Sequence, residues 1–200
     1  MTDSVSSPNS HDGDPVDADA DIRELVKLGK HHEALRLLMQ RHGRMIYRYC
    51  RGVVRDDARA DDIQQKVFIE AHRDLPRFAG RSPVRTWLLA IAHNRAVDDI
   101  RKHEREERRI DRESDVEVAE PSRSPGERLD DQLLRKALAE CVGELRPAIR
   151  AAVLLRYQQG LTFEQMADVC DEKAGTLQAR VARAVAVLRT CIEKRTGGVP

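Results

Sequence analysis

Apolar residues recur at helical spacing along most of this 200-residue chain, and this pattern limits the fold to packed helices. Ile63, Val67, Ala71 and Leu75, for example, follow one another at intervals of four residues until Pro76 ends the series. No segment alternates apolar and polar residues as a half-buried strand requires. The sequence therefore predicts an all-α fold.

The supply of core residues limits the size of each folded unit. Aromatic residues make up 4% of the chain and charged residues 34%, whereas about 25% charged residues is usual for a globular protein. Its cores must therefore be small and aliphatic, which argues against a large enzyme built around one core.

The net charge of +1 conceals four segments of alternating sign. Lys, Arg, Asp and Glu sum to −4 over residues 1–32, +6 over 33–103, −5 over 113–131 and +4 over 132–200. The two acidic segments are rich in Ser, Pro and Gly, a composition typical of tails and linkers. We therefore predict two small helical domains joined by a flexible acidic linker. The predicted limits are a disordered acidic tail over 1–20, a first domain over 21–110, a linker over 111–128 and a second domain over 129–195.

Several classes of protein are disfavoured by what the sequence lacks. No apolar run approaches the roughly 18 residues of a membrane span, and the N-terminus has no secretory signal, so we expect a cytoplasmic protein without membrane insertion. Cys50, Cys141, Cys170 and Cys191 form no CxxC pair. We expect four reduced thiols, with no disulfide framework and no metal or other cofactor.

The first predicted domain contains a segment suited to single-stranded nucleic acid. Phe78, Trp87 and Asn94 are followed by a basic run that includes Arg101 and Lys102. Aromatic rings contact unstacked bases, amides hydrogen-bond base edges, and basic side chains hold phosphates. The alternative is that Phe78 and Trp87 only fill the core.

The second predicted domain has the pattern of a helix-turn-helix. Thr162 and Gln165 are spaced as a capping box at the start of a short helix. In the longer helix that begins near Ala174, the apolar residues share one stripe, while Arg180 and Arg183 lie off it. Outward-facing arginines on a second helix suit the DNA major groove. A plain helical hairpin is the alternative.

Together, these motifs resemble the extracytoplasmic-function sigma factors, the smallest class of the sigma-70 family of bacterial RNA polymerase. The resemblance covers residues 30–103 and 130–192 and rests on the order of several short motifs. These are residues 62–68, Phe78 with Arg81 and Ser82, 85–88, 91–95, 160–167, and 175–177 with Arg180 and Arg183.

The resemblance implies sigma region two in the first domain and sigma region four in the second. It assigns a role to each of three groups of residues. Contact with the clamp helices of the large subunit of core RNA polymerase would use Asp62, Gln65, Lys66 and Phe68. Recognition and melting of the minus-ten element would use Phe78, Arg81, Ser82, Trp87, Asn94, Arg95, Arg101 and Lys102. Recognition of the minus-thirty-five element would use Thr176, Gln178, Arg180 and Arg183.

The same resemblance implies two obligate partners, core RNA polymerase and promoter DNA, and suggests an inhibitory anti-sigma factor. This chain departs from the family at Lys66, where an acid is usual, and at Asp171-Glu172, where the turn is usually more apolar. These departures affect details of the polymerase contact and of promoter preference.

Two other functions compete with this interpretation. A helix-turn-helix regulator that acts without joining polymerase would need only the second domain. A metal-dependent nuclease would need the carboxylates of Asp61, Asp62 and Glu70 at one site. Asp62 and Glu70 are eight residues apart, about 12 Å along a helix, which is too far for a shared two-metal site. No other spacing suggests catalytic residues, so we do not expect an enzyme.

Overall fold

The structure is a computed structural model that describes residues 19–110 and 129–197. Within these residues every regular element is helical, as predicted, and no helix is long and apolar enough to cross a membrane. The predicted linker and most of the predicted tail lie outside them. The α-helices are α1 (Ala20–Lys27), α2 (His31–Val54), α3 (Asp57–Asp74), α4 (Val84–Ile110), α5 (Leu129–Glu144), α6 (Pro147–Val153), α7 (Phe163–Cys170) and α8 (Ala174–Thr196).

Local sequence signals explain several of these helix limits. The Asp56 carboxylate accepts a hydrogen bond from the backbone N–H of Arg59 at 2.8 Å and caps α3. That helix ends at Asp74 and continues as a 3₁₀ turn, Leu75–Arg77, which contains Pro76. Pro147 occupies the first turn of α6, where its missing N–H costs no hydrogen bond.

Helices α2, α3 and α4 build the core of the first half of the chain. Tyr49, Ile63 and Leu88 are completely buried there, and α1 adds Ile22. Tyr49 donates or accepts a hydrogen bond at 2.9 Å with Nδ1 of His93, which satisfies its hydroxyl inside the core. The core is mostly aliphatic, as the scarcity of aromatic residues predicts, with Tyr49 and Phe68 as its buried aromatic residues.

The second half of the chain combines the short helices α6 and α7 with the longer α5 and α8. Helix α6 continues as a π-helical turn, Leu154–Gln158, and the chain reverses at Gly160, whose φ of +68° is a conformation that glycine adopts without strain. The capping box predicted for Thr162 and Gln165 is confirmed, because each side chain bonds the backbone N–H of the other residue, at 3.2 and 2.9 Å.

The prediction of four reduced thiols is wrong. Cys141 of α5 and Cys191 of α8 form a disulfide, with their Cα atoms 6.0 Å apart. They are 50 residues apart in sequence, so their spacing gave no sign of pairing, but α5 packs along α8 and brings them together. Cys50 and Cys170 are free thiols.

The two halves share one hydrophobic core. Met166 and Leu177 of the second half are completely buried in the same cluster as Leu88 of the first. Gly52 allows α2 to approach the π-helical turn closely, since a Cβ atom there would lie 2.9 Å from Cδ1 of Leu154. The two halves therefore pack directly against each other, with α7 on α4 and α6 on α2.

Candidate functional site

Helix α3 presents an exposed polar face on the side away from the core. Asp62, Gln65 and Lys66 are all exposed, and their spacing places them on one side of the helix. Phe68, which was predicted to join them, is instead only 5% exposed and packs in the core. Ile69 shares the exposed face and is 70% exposed.

Sequence reasoning missed Ile69, although a signal was available. Its position falls off the apolar series formed by Ile63, Val67 and Ala71, which predicts a side chain in solvent. An exposed β-branched residue among polar neighbours adds an apolar contact to this face. We call Asp62, Gln65, Lys66 and Ile69 the α3 face.

An aromatic pair lies where the loop after α3 meets the start of α4. The rings of Phe78 and Trp87 have centroids 4.8 Å apart and an interplanar angle of 37°. Both side chains are partly buried against the core. In the loop between them, Arg81 is exposed and Ser82 is half-buried. The predicted aromatic and loop residues are therefore brought together.

The later turns of α4 carry amide and basic groups at the surface. Asn94, Arg101 and Lys102 are exposed. Arg95 is held differently, because its Nε donates to Glu70 of α3 at 2.5 Å, and this pairing raises the pKa of the guanidinium. Arg101 and Lys102 are thus more available to an anion than Arg95.

The helix-turn-helix comprises α7, a turn and α8. Asp171 in the turn adopts a left-handed conformation with φ of 52°, one that aspartate tolerates better than most residues. The apolar stripe of α8 is buried through Leu177, Val181, Ala184 and Leu188. This confirms the predicted stripe.

The residues predicted to face DNA on α8 are not equivalent. Thr176, Gln178 and Arg183 are exposed, and the Nε of Arg183 donates to the Ala179 carbonyl at 3.2 Å. Arg180 is instead half-buried and paired in a bidentate manner with Glu172 of the turn, at 2.8 and 2.5 Å. The pairing lowers the pKa of the Glu172 carboxyl.

Directional polar contacts hold the two halves together. Arg150 of α6 donates to the Val53 carbonyl at the end of α2, and also to the Gly143 and Leu145 carbonyls. Burial, with repulsion from Arg55 and Arg59, lowers the pKa of Arg150 to about 10. Arg85 of α4 donates to the backbone carbonyl and side-chain oxygen of Gln159.

His93 lies on the inner side of α4, between Tyr49 and the turn of the helix-turn-helix. Burial lowers its pKa, while Glu172 acts in the opposite direction. Burial also raises the pKa values of Cys50 and Cys170 to about 12, so neither thiol is a nucleophile near neutral pH. Over residues 19–110 and 129–197, no three His, Cys, Asp or Glu side chains are grouped to hold a metal ion.

The geometry thus offers separate exposed surfaces rather than one catalytic pocket. They are the α3 face, the Phe78–Trp87 pair with the basic end of α4, and the outer face of α8. All three surfaces carry basic side chains, and the two on α4 and α8 suit contacts spread along a polyanion.

Comparison with family models identifies both halves of the chain. Residues 38–106 match the model described as Sigma-70 region 2, and residues 135–188 match the model described as Sigma-70, region 4. The two matches occur in the order expected from the sequence and together cover more than half of the chain.

Individual relatives agree. The chain is 28% identical over 183 residues to the ECF RNA polymerase sigma factor SigK of Mycolicibacterium vanbaalenii, covering 88% of this chain and 90% of the relative. It is 36% identical over 129 residues to SigC of Mycobacterium tuberculosis, covering 64% of this chain and 68% of the relative. Its fold matches the sigma factor RpoE of Bartonella quintana, solved in complex with the anti-sigma factor NepR, with a TM-score of 0.62 and 25% identity over 74% of this chain and 90% of that one.

Proposed function

Because this chain belongs to the sigma-70 family, as an extracytoplasmic-function sigma factor of RNA polymerase, we propose a division of its work among the three exposed surfaces. The factor binds core RNA polymerase and directs it to promoters, where transcription starts. We assign residues 21–110 to polymerase binding and the minus-ten element, residues 129–195 to the minus-thirty-five element, and residues 111–128 to the connection between them. The regulator that acts without polymerase is not favoured, because the region 2 match lies outside the helix-turn-helix. The observation that carries the assignment is the exposure of three distinct polar surfaces on the two family regions.

The α3 face is the proposed contact with the clamp helices of the large polymerase subunit. Asp62 and Lys66 supply charges of both signs, Gln65 a donor and acceptor, and Ile69 an apolar anchor. Exposed aliphatic residues that become buried on association stabilise a complex by about 1.5–3 kcal/mol each. Phe68 lies under this face and supports it by packing.

The Phe78–Trp87 pair is the proposed edge of the minus-ten site. The residues proposed to hold an extruded base are Phe78, Arg81, Ser82 and Asn94, and Trp87 supports Phe78 through their ring contact. Unstacking a base costs a few kcal/mol, which stacking and hydrogen bonding in such a site offset. The backbone of the melted strand is then held by basic side chains of α4: Arg95, Arg101 and Lys102.

Helix α8 is the proposed reader of duplex DNA at the minus-thirty-five element. Its N-terminal turns carry Thr176, Gln178, Arg180 and Arg183, and such turns are the part of a recognition helix that contacts base edges. The holoenzyme is expected to lose promoter affinity steeply as salt rises, because phosphate contacts release counterions.

An inhibitory anti-sigma partner is also proposed. The relative from Bartonella quintana is recorded with such a partner. In this chain an apolar groove of about 650 Å³ opens between α5, the π-helical turn and α8, with Leu138, Tyr157 and Ile192 along it. The groove suits the apolar face of a partner helix. The proposed work of this sigma factor takes place in the cytoplasm, where polymerase and DNA are found.

Co-elution with purified core bacterial RNA polymerase on a sizing column tests the main proposal. The wild-type chain should co-elute, and Asp62→Ala and Ile69→Ala should each weaken the complex at least severalfold. Matched controls are Glu24→Ala on α1, another exposed carboxylate, and Leu28→Ala directly after α1, which replaces a residue that is 63% exposed. Equal loss from these control variants would contradict the assignment of the α3 face, and no co-elution of the wild type at low salt would contradict the proposed function itself.

A further inference from the structure

The pair formed by Glu172 and Arg180 lies within the helix-turn-helix itself. Glu172 is in the turn after α7, and Arg180 is in the second turn of α8. Their side chains are 34% and 23% exposed, so the pair is partly shielded from water and from salt. Both residues belong to the second half of the chain, and His93 of α4 lies close enough to act on Glu172 electrostatically.

The pairing uses the part of Arg180 that DNA would need. Nη1 of Arg180 donates to one oxygen of Glu172 and Nη2 donates to the other. A guanidinium reads guanine with two parallel N–H groups directed at O6 and N7, and it holds a phosphate in a similar bidentate manner. With both Nη atoms engaged by a carboxylate, the end-on fork of Arg180 is occupied and its charge is compensated.

The position of Arg180 on α8 also indicates that its side chain is less accessible to DNA than that of Arg183. With Leu177 at 0° and about 100° per residue, the four buried residues of α8 are centred near 10°, so the centre of its exposed face lies near 190°. Arg183 and Thr176 fall about 50° and 70° from that centre, whereas Arg180 falls about 110° away, at the edge of the exposed face. Arg183 is exposed and has no ion pair among the described residues.

We propose that Glu172 is a positioning residue that restrains Arg180 and so determines the specificity of the recognition helix. Restraint of Arg180 removes a phosphate contact that would strengthen binding to every sequence equally. Recognition of base edges then falls to Arg183 and Thr176, which lie nearer the centre of the exposed face. The acidic turn, which departs from the family pattern, thereby gains a physical role. This inference rests on the proposed function of α8.

The salt dependence of DNA binding distinguishes restraint from a merely structural role. Holoenzyme reconstituted with core polymerase would be used to select a duplex from a library randomised upstream of the start site, and its affinity for that duplex would be measured between 50 and 200 mM salt. Glu172→Gln should steepen the dependence of log K on log salt by about 0.9, because one cationic contact is gained. As salt rises fourfold, from 50 to 200 mM, the affinity of the variant should therefore fall about 3.5-fold more than that of the wild type. Its preference for the selected duplex over a scrambled one should fall.

Two further variants separate the causes. Glu172→Gln combined with Arg180→Gln should return the slope to that of the wild type, because the freed arginine is gone. Glu164→Gln removes an exposed carboxylate of α7 from the same motif without freeing an arginine and should leave the slope unchanged. Circular dichroism of each variant checks that α7 and α8 remain folded.

Some outcomes test the restraint of Arg180, and another tests the proposed function of α8. An unchanged or shallower slope in Glu172→Gln, or the same increase in Glu164→Gln, overturns the restraint. Wild-type affinity and selectivity in Arg183→Gln would instead contradict the proposed reading of duplex DNA by α8, whatever Glu172 does.

Discussion

The two halves of the molecule are stabilised in different ways. In the first half, α2, α3 and α4 enclose a core with completely buried residues from each helix. In the second half, the cluster that belongs to it alone is small, and its remaining buried residues pack into the core of the first half. Three specific interactions add to the stability of the second half: the Cys141–Cys191 disulfide, the hydrogen bonds of Arg150 and the Thr162 capping box.

This difference suits the proposed work of each half. The first half presents the aromatic pair and the α3 face on a core of its own. Separation of the halves would expose the residues of the second half, such as Met166 and Leu177, that are buried against that core. We therefore expect substitutions in the first half to act on the whole molecule and substitutions in the second to act locally.

The largest expected effect comes from the core of the first half. Leu88 is completely buried, and Leu88→Ala should lower the free energy of unfolding by about 4 kcal/mol, through lost burial and the cavity left behind. Leu188→Ala makes the same chemical change in the small cluster of the second half and should cost about 2 kcal/mol, since that cluster collapses more easily. Urea unfolding followed by circular dichroism measures both. A larger cost at Leu188 would reverse the comparison.

Reduction of the disulfide should destabilise only the second half. Cys141 and Cys191 close a loop of 50 residues, and loss of such a cross-link costs about 4 kcal/mol, because the unfolded chain regains entropy. The chain has one tryptophan, Trp87, in the first half. After reduction we expect the thermal transition seen by circular dichroism to split, while the transition seen by Trp87 fluorescence stays in place. Cys50→Ser is the control for thiol chemistry, and an equal shift of both transitions would show that the halves unfold together.

Arg150→Met should loosen the contact between the halves at a smaller cost. The substitution keeps an apolar stem but leaves the carbonyls of Val53, Gly143 and Leu145 without this donor, at about 2 kcal/mol in total, because the buried charge is removed as well. Small-angle scattering should show a larger radius of gyration. Arg146→Met, an exposed change at the start of the same helix, should leave the radius unchanged.

The sequence predicts the fold well where one segment contains the whole signal. The apolar series of α3, the capping box of α7 and the stripe of α8 each lie within one helix, and the structure has all three. The site residues were predictable in the same way as far as exposure on a helix face is concerned. The exposure of Ile69 follows from this rule too, although Ile69 lies outside the family motif of residues 62–68.

What the sequence does not predict are contacts between distant segments. The disulfide joins residues 50 positions apart, and Arg150 bonds a carbonyl 97 positions away. The pairing of Arg180 with Glu172 spans only eight positions, yet it depends on a left-handed turn at Asp171 that no spacing rule specifies. Tertiary packing determines these contacts. Ion pairs of this kind distinguish the cations of α4 and α8 that are available to DNA from those that a carboxylate already neutralises.

The smallest expected effect compares the same kind of cap in the two halves. Thr162→Ala and Asp56→Ala each remove a side chain that accepts from a backbone N–H three residues on, and each should cost about 1 kcal/mol. The consequences differ because α7 has 8 residues and α3 has 18. Loss of a cap in a two-turn helix should speed amide hydrogen exchange along all of α7, whereas in α3 only the first turn should be affected. Faster exchange along the whole of α3 after Asp56→Ala would contradict this prediction, because it would show that α3 opens as one unit.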